Sequence, residues 1–360
     1  MARQGSKLTQ ANFTGWAMAL PAVALVSFFI ILPFLFAFGL SFTNQRLISP
    51  NPTEYVGLAN YRQLLGLSVL VIEPERAADG TIRRDAAGDP VYPRVRTFTR
   101  GNPDYPHLQG KREWISFRWG EDRVAVLSQD VLFIRALVNT ALFVLAIVPL
   151  QGGGALLLAL LINQRLRGIN VFRTIYFMPV VVSIVVVSLL WRFIYDGNDG
   201  LLNNLLVALS FGAFEPVDWL GNTQTALPAI IAMSAWQGMG FHMVIWLSGL
   251  QTIPPTLYEV AEIEGASKWQ TFRYVTWPGL RNTAVLVLIV ITMQAFALFV
   301  QIDVMTNGGP LDSTQTLVFQ AVERGYGKQD ISGGSTISVL LFLIVLAISL
   351  SQRYLTRERG

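Results

Sequence analysis

Few side chains in this chain can carry a reaction. Cysteine is absent and the two histidines are His107 and His242, which removes thiol catalysis, disulfides and a Cys/His zinc cluster. No G-x-x-x-x-G-K-[ST] stretch occurs, so the P-loop route to a bound nucleotide is closed. His242 has no second histidine or carboxylate one turn away and reads as a packing histidine; no metal is assigned. What remains is one acidic run and two groupings of amides with apolar side chains. The acidic run is Glu259, Glu262 and Glu264, between Pro254-Pro255 and Gly265. The groupings are Trp236, Gln237 and Phe241, then Gln294, Phe296 and Leu298. Gln237 and Phe241 are four apart, as are Gln294 and Leu298, so each pair shares one face of a helix. An amide for hydroxyls beside a ring for an apolar face is chemistry that suits a sugar. Glutamines also fasten membrane helices together, at about 0.6–2 kcal/mol per hydrogen bond, and that reading stays open for each. Gln151 beside Gly152, Gly153 and Gly154 reads as close helix packing.

The elements that hold these residues follow from where charge is missing. The chain has 360 residues, 52% hydrophobic and 14% charged, against about a quarter charged in a soluble domain; a soluble enzyme is excluded. A net charge of +4 leaves no basic face for nucleic acid. Six neutral intervals run between Lys7 and Arg46, Arg135 and Arg165, Arg173 and Arg192, Asp218 and Glu259, Arg281 and Asp303, and Asp330 and Arg353. About 20 apolar residues cross a hydrocarbon core, and a central charge costs about 2.5–3.5 kcal/mol. The intervals therefore predict an all-α integral membrane protein with six transmembrane helices, near 16–41, 135–162, 174–195, 226–250, 283–304 and 332–352. The first is an anchor rather than a cleaved signal, because its apolar run exceeds the 7–15 residues of a signal core.

Basic residues orient these spans. Arg3 and Lys7, then Arg165, Arg167 and Arg173, then Lys268, Arg273 and Arg281, then Arg353, Arg357 and Arg359 fall on one side. The other side has 196–225, with four acids and no Lys or Arg, and 304–331, with only Arg324 and Lys328. Both termini are thus expected in the cytoplasm. This divides the chain into 1–41, a tail and first span; 42–130, extracytoplasmic; 131–352, a core of five spans; and 353–360, a cytoplasmic tail. Within 42–130, the stretches 91–99 and 114–119 partly alternate apolar and polar residues as short strands do. A small β-containing insert is expected at 67–125. Two readings of it stand: a solvated insertion, which costs little, or a contact for an extracytoplasmic partner.

The span interiors contain no Asp, Glu, Lys or Arg; Asp303, Arg135 and Arg192 sit at span ends, where side chains snorkel. Proton- or sodium-coupled transport needs such groups at depth, so work must come from another subunit. Neutral walls also fit a neutral polar solute better than an ion.

The loop 251–281 is the one cytoplasmic segment with built features. Pro254 and Pro255 with Thr256 start a helix, with Glu259 and Glu262 placed favourably for its dipole. Gly265 turns the chain, and a second short helix at 268–275 ends before Pro278. Leu257, Ala261 and Ile263 are available for docking, with carboxylates around them. An interfacial hairpin lying on lipid would be rich in Lys and Arg instead.

This loop resembles the EAA motif, E-A-A-x-x-D-G-A followed by F and P, of permease subunits of ATP-binding cassette importers. The matching residues are Glu259, Ala261, Gly265, Ala266, Phe272 and Pro278, with Val260 for an alanine and Glu264 for the aspartate. FRTIYFMP at 172–179, LQTIP at 250–254 and MTNGGP at 305–310 are similar to the maltose-type carbohydrate branch. The resemblance covers about 130–352, the first span and the loop to Tyr61, but not 67–125.

The resemblance implies a coupling helix at Tyr258, Glu259, Ala261, Glu262, Glu264, Gly265 and Ala266 that seats in a groove of an ATPase. It implies a solute site at Gln237, Gly238, Phe241, Gln294, Ala295 and Leu298. It further implies a bacterial inner membrane, a second homologous permease, two ATPase subunits and an extracytoplasmic sugar-binding protein. ATP and Mg would bind the ATPase, leaving this chain without a cofactor or a catalytic residue. The expected cargo is a di- or oligosaccharide or glycoside; the alternatives are another polar solute such as glycerol phosphate or an amino acid, or a membrane sensor or scaffold.

Overall fold

A computed structural model of the chain describes residues 15–164 and 168–356, the last two by backbone alone. Arg3, Lys7, Arg165, Arg167, Arg357 and Arg359, counted above for orientation, lie outside the described residues.

Four helices are long and apolar enough to cross a membrane: α1 (Gly15–Leu40), α3 (Val131–Ile162), α6 (Ala226–Gln251) and α11 (Ile331–Thr356). Two bent helix pairs lie at the third and fifth expected spans, the second of them beginning in the loop 251–281. The pair α4 (Ile169–Val181) and α5 (Ile184–Ile194) turns by 99°, and the pair α8 (Lys268–Gly279) and α9 (Arg281–Phe296) by 68°. The third expected span is therefore no straight rod. Pro179 lies in the last turn of α4, where it offers no N–H and crowds the carbonyl one turn back. Val182 and Ser183 then extend, with ψ of 138° and 133°. The fifth expected span, 283–304, is also corrected. Its helix stops at Phe296, Ala297 and Phe299 leave helical geometry, and α10 (Val300–Met305) resumes beyond them. No Gly or Pro marks that break. The carbonyl of Leu298 there accepts a hydrogen bond from Thr316 Oγ1 at 2.9 Å.

Two compact units are described separately. One comprises Met1–Arg62 with Ala321–Leu340. Its helix α1 is apolar and exposed along its spanning window, as a lipid-facing anchor is. Within it the turn Ser27–Ile31 is π-helical, Leu32 N–H reaching Ser27 O, which lets the chain absorb Pro33 just beyond. At the end of α1, Ser41 Oγ lies 2.7 Å from Tyr61 Oη, and Asn60 Nδ2 donates to the carbonyls of Ser41 and Thr43 at 2.8 Å. Thr43 Oγ1 meets Ser332 Oγ at 2.9 Å, and Arg324 pairs with Asp330 at 2.8 Å.

The other unit comprises Gln63–Gln320 with Leu341–Gly360. Its main core joins α3 to α6, with Phe143, Ile147, Ala155, Ile230, Met233, Met243 and Trp246 buried, and extends to Ile291 of α9. Between membrane helices lipid removes the hydrophobic driving force, so close contact relies on small residues. Trp246 Nε1 donates to the Gly152 carbonyl at 3.1 Å, and a Cβ on Gly240 would collide with the Tyr176 carbonyl of α4. Arg135, Asn139 and Thr140 on α3 hold the loop after α10. They bond Leu311 O, Ser313 O, Gln315 O and Leu317 N respectively, Asn139 serving both Ser313 and Gln315.

The insert is a folded body in this second unit. Three antiparallel strands, β1 (Leu67–Ile72), β2 (Arg112–Trp119) and β3 (Asp122–Ser128), lie in the order β1-β3-β2. Leu67 faces Ser128, and Trp119 faces Asp122 across the tight turn. Leu70, Ile72, Leu108, Ala125 and Leu127 form its core, with Val95, Phe98 and Tyr105 packed against it. The expected strand at 114–119 lies inside β2, but 91–99 is no strand: it ends in one helical turn, α2 (Arg96–Thr99). Pro93 denies that stretch a ladder donor, and Val95 is helical at φ −51°, ψ −34°. The sheet also reaches Ser128, beyond the expected 125. Asp130 then caps α3 by accepting from Phe133 N at 3.0 Å.

Candidate coupling hairpin and solute-facing helices

The acidic run folds as the expected helix and glycine turn. The second helix, expected at 268–275 and to end before Pro278, instead runs on through a π-helical turn at Phe272–Thr276 to Gly279. Pro278 falls in the first turn after the π-helical stretch, where its missing N–H is tolerated. Helix α7 (Pro255–Ile263) starts at Pro254, which ends the preceding segment with ψ 129°, a conformation that proline imposes on the residue before it. Gly265 takes φ +70° and a Cβ there would meet nothing within 4 Å, so glycine is needed for backbone conformation rather than for space. Ser267 opens α8 with a full capping box, its hydroxyl accepting from Gln270 N and Gln270 Oε1 accepting from Ser267 N at 2.7 Å.

The hairpin shows one apolar and acidic face. Leu257, Val260 and Ile263 are exposed, Ile263 at 84%, and Glu259, Glu262 and Glu264 are exposed beside them. Ala261 and Ala266, expected in the contact, are half-buried. Tyr258 turns inward, its hydroxyl 3.2 Å from Thr276 Oγ1 of α8, which ties the two halves of the hairpin into one lever. Tyr258, Glu262 and Gly265 also line a cavity of about 820 Å³ that Leu160 at the end of α3 helps to close.

The mid-span set divides. Phe241 is exposed, Gln237 half-buried and Gln294 exposed; these three reach the surface of the unit. Trp236, 46% exposed, packs at a tilt of 58° against Trp191 with ring centroids 5.4 Å apart, and Trp191 at 50° against Tyr195 with centroids 5.0 Å apart. Trp191 was missed at the sequence level, although an aromatic on a neutral span was the signal that singled out Trp236. Ala295 and Leu298 are buried in the hydrophobic core at 5% and 3% exposure. The i, i+4 partnership expected of Gln294 with Leu298 does not form, because the helix ends between them at Phe296. Gly238 is occupied from within: a Cβ there would collide with the Gln151 amide, which lies 3.1 Å from His242 Nδ1. The same Nδ1 lies 2.9 Å from the Gly238 carbonyl, and His242 is fully buried. Gln151 and His242 thus form a polar clasp between α3 and α6, the packing role read for His242.

These features define an integral membrane protein with an exposed acidic hairpin and neutral helices that carry amides and aromatics at mid-span. The chain belongs to the family described as binding-protein-dependent transport system inner membrane component, whose model matches residues 132–359. It is 33% identical over 244 residues to the lactose transport system permease protein of Rhizobium radiobacter, covering 67% of this chain and 81% of that one. It is 32% identical to the diacetylchitobiose uptake system permease protein of Streptomyces coelicolor, covering 64% and 68%. In structure it is similar to a bacterial ABC transporter involved in the import of the acidic polysaccharide alginate, with TM-score 0.67, 19% identity and 98% of both chains covered. That likeness shows the fold, and it extends over the insert.

Proposed function

We propose that this chain forms half of the translocation pathway of an ATP-driven importer for a neutral sugar, a di- or oligosaccharide or glycoside. A second homologous permease would form the other half. Two ATPase subunits would hold ATP and Mg, and an extracytoplasmic binding protein would deliver the sugar. The observation that carries the reading is the exposed face of Leu257, Glu259, Val260 and Ile263 on a rigid hairpin, in a chain that lacks a P-loop. The names of the lactose and diacetylchitobiose relatives support the sugar, as do the amides and aromatics at mid-span.

In this reading both termini face the cytoplasm, 42–130 lies outside, and residues 251–281 meet the ATPase. Closure of the ATPase pair on ATP pushes on the hairpin. The Tyr258–Thr276 contact passes the push to α8 and, across the 68° bend, to α9, which carries Gln294. Switching of this kind needs two packed arrangements rather than a flexible wire.

The test is reconstitution with a cognate ATPase subunit. Glu259→Lys should abolish ATP-dependent uptake and weaken co-purification of the ATPase. Full uptake by that variant, or an ATPase that associates equally well with a hairpin lacking 257–263, refutes the docking role.

A further inference from the structure

A groove of about 480 Å³ follows α9 from its 68° bend with α8, lined across from it by Val148 and Gly152 of α3 and Trp246 of α6. Its chemistry changes along its length. Trp277, 48% exposed, and the exposed Arg281 line it at the bend. Beyond them Ala284, Leu288 and the buried Ile291 present only hydrocarbon. The Trp246 indole spends its one N–H on the Gly152 carbonyl at 3.1 Å, so the deep part offers a sugar no side-chain hydrogen bond. Arg281 and Ile291 are ten residues apart on one helix, about 15 Å along its axis. That is half of a hydrocarbon core of about 30 Å, the depth of a single leaflet. Helix α8 also exposes Arg273 and Tyr274; tyrosine and tryptophan gathered with basic residues at the end of a span mark the headgroup level. Among the described residues no carboxylate lies within ion-pair distance of Arg273 or Arg281.

We propose that this groove seats an anionic phospholipid of the cytoplasmic leaflet, with one acyl chain along α9 and its phosphate against Arg281; the orientation rests on the importer reading above. The order of chemistry along the groove selects the occupant. A cation at the headgroup level, an indole beside it and a dry hydrocarbon wall one leaflet deep repeat the order of a lipid's own parts. An apolar helix of a second permease would cover the wall but bring no charge to Arg281, whereas a phosphate accepts charge-assisted hydrogen bonds from a guanidinium. A zwitterionic lipid carries an ammonium that offsets much of this attraction, so the cation makes the seat selective for a net negative headgroup. Basic pockets between spans on the cytoplasmic side hold anionic headgroups in this way, in the leaflet where such lipids concentrate.

The experiment reconstitutes the assembled complex in nanodiscs of equal parts phosphatidylcholine and phosphatidylglycerol, extracts it into neutral detergent and counts the retained lipids by native mass spectrometry. The unmodified complex should keep phosphatidylglycerol in preference to phosphatidylcholine. Arg281→Gln should lower that preference about fivefold, the ratio equivalent to the roughly 1 kcal/mol that one basic residue contributes at an anionic surface. Arg281→Lys should keep most of it. Ala284→Leu, which fills the groove and leaves Arg281 in place, should reduce lipid retention as well. Lys268→Gln, on α8 but outside the groove, should retain lipid as the unmodified complex does. An unchanged preference in Arg281→Gln overturns the proposal. So does an equal loss in Lys268→Gln, which would report bulk charge, or full retention in Ala284→Leu, which would place the lipid outside the groove. Because the chain has no cysteine, a benzophenone maleimide attached at Ala284→Cys reports the occupant directly: photolinking to phospholipid supports the seat, and photolinking to the second permease overturns it. Retention is read without ATP, so a complex that keeps the lipid but shows no ATP-dependent uptake supports the seat and refutes the importer reading alone.

Discussion

At the scale of single residues, two glycines separate conformational need from spatial need. Gly265 sits at φ +70° with open space where a Cβ would be, so a side chain there costs only the left-handed backbone, about 1–2 kcal/mol. Asparagine tolerates that region and valine does not. Gly265→Asn should keep ATPase association near the unmodified level and Gly265→Val should weaken it markedly, as co-purification would measure. At Gly240 the conflict is spatial, because the neighbour is the Tyr176 backbone, which cannot rotate away. Gly240→Ala should therefore lose about 1–3 kcal/mol by overpacking. Gly153→Ala, whose Cβ meets nothing within 4 Å, should be neutral or slightly stabilising. Thermal unfolding in detergent compares the pair; equal midpoints would contradict the close approach of α4 and α6.

At the scale of elements, what could be read in the sequence depended on whether the determinant was local. The four unbroken spans and the fold of the acidic hairpin were legible because apolar length, prolines, Gly265 and the Ser267 cap act within a few residues. The break after Phe296 was not, because its compensation comes from Thr316, distant in sequence. Strands β1 and β3 were likewise hidden. Val69 and Val71 are exposed at 63% and 55% while Leu70 and Ile72 are buried, so side chains on both faces are apolar and the alternation that reveals a strand is lost. The fastening of the 306–316 loop to α3 was equally invisible, although Asn139 is the kind of buried amide that needs partners. Its Nδ2 donates to Ser313 O at 2.9 Å and Gln315 O at 3.0 Å. Asn139→Leu should leave both carbonyls without that donor, costing about 1–3 kcal/mol. Amide exchange in 306–317 should then rise with little change in α3; unaltered protection would show that the loop is held otherwise.

At the scale of the whole molecule, a permease must offer some mid-span residues to solute while others hold the chain together, and burial separates the two. Of the six positions to which the resemblance assigns solute contact, Gln294 and Phe241 are exposed while Ala295 and Leu298 are core residues. Sequence depth alone could not make this division, because helix-end geometry at Phe296 decides it. The division predicts opposite signatures in the reconstituted importer. Gln294→Leu removes a surface amide, so thermal stability and ATPase association should stay level while sugar uptake falls. Leu298→Ala opens a cavity in the core, which costs about 2–5 kcal/mol, so stability should fall first and uptake only with the amount of folded complex. Measuring uptake per folded complex isolates the two effects. If Gln294→Leu transports every sugar normally while Leu298→Ala lowers the specific rate at full occupancy, the solute path runs through the inner face of α9, and the exposed face belongs to lipid or to the second permease.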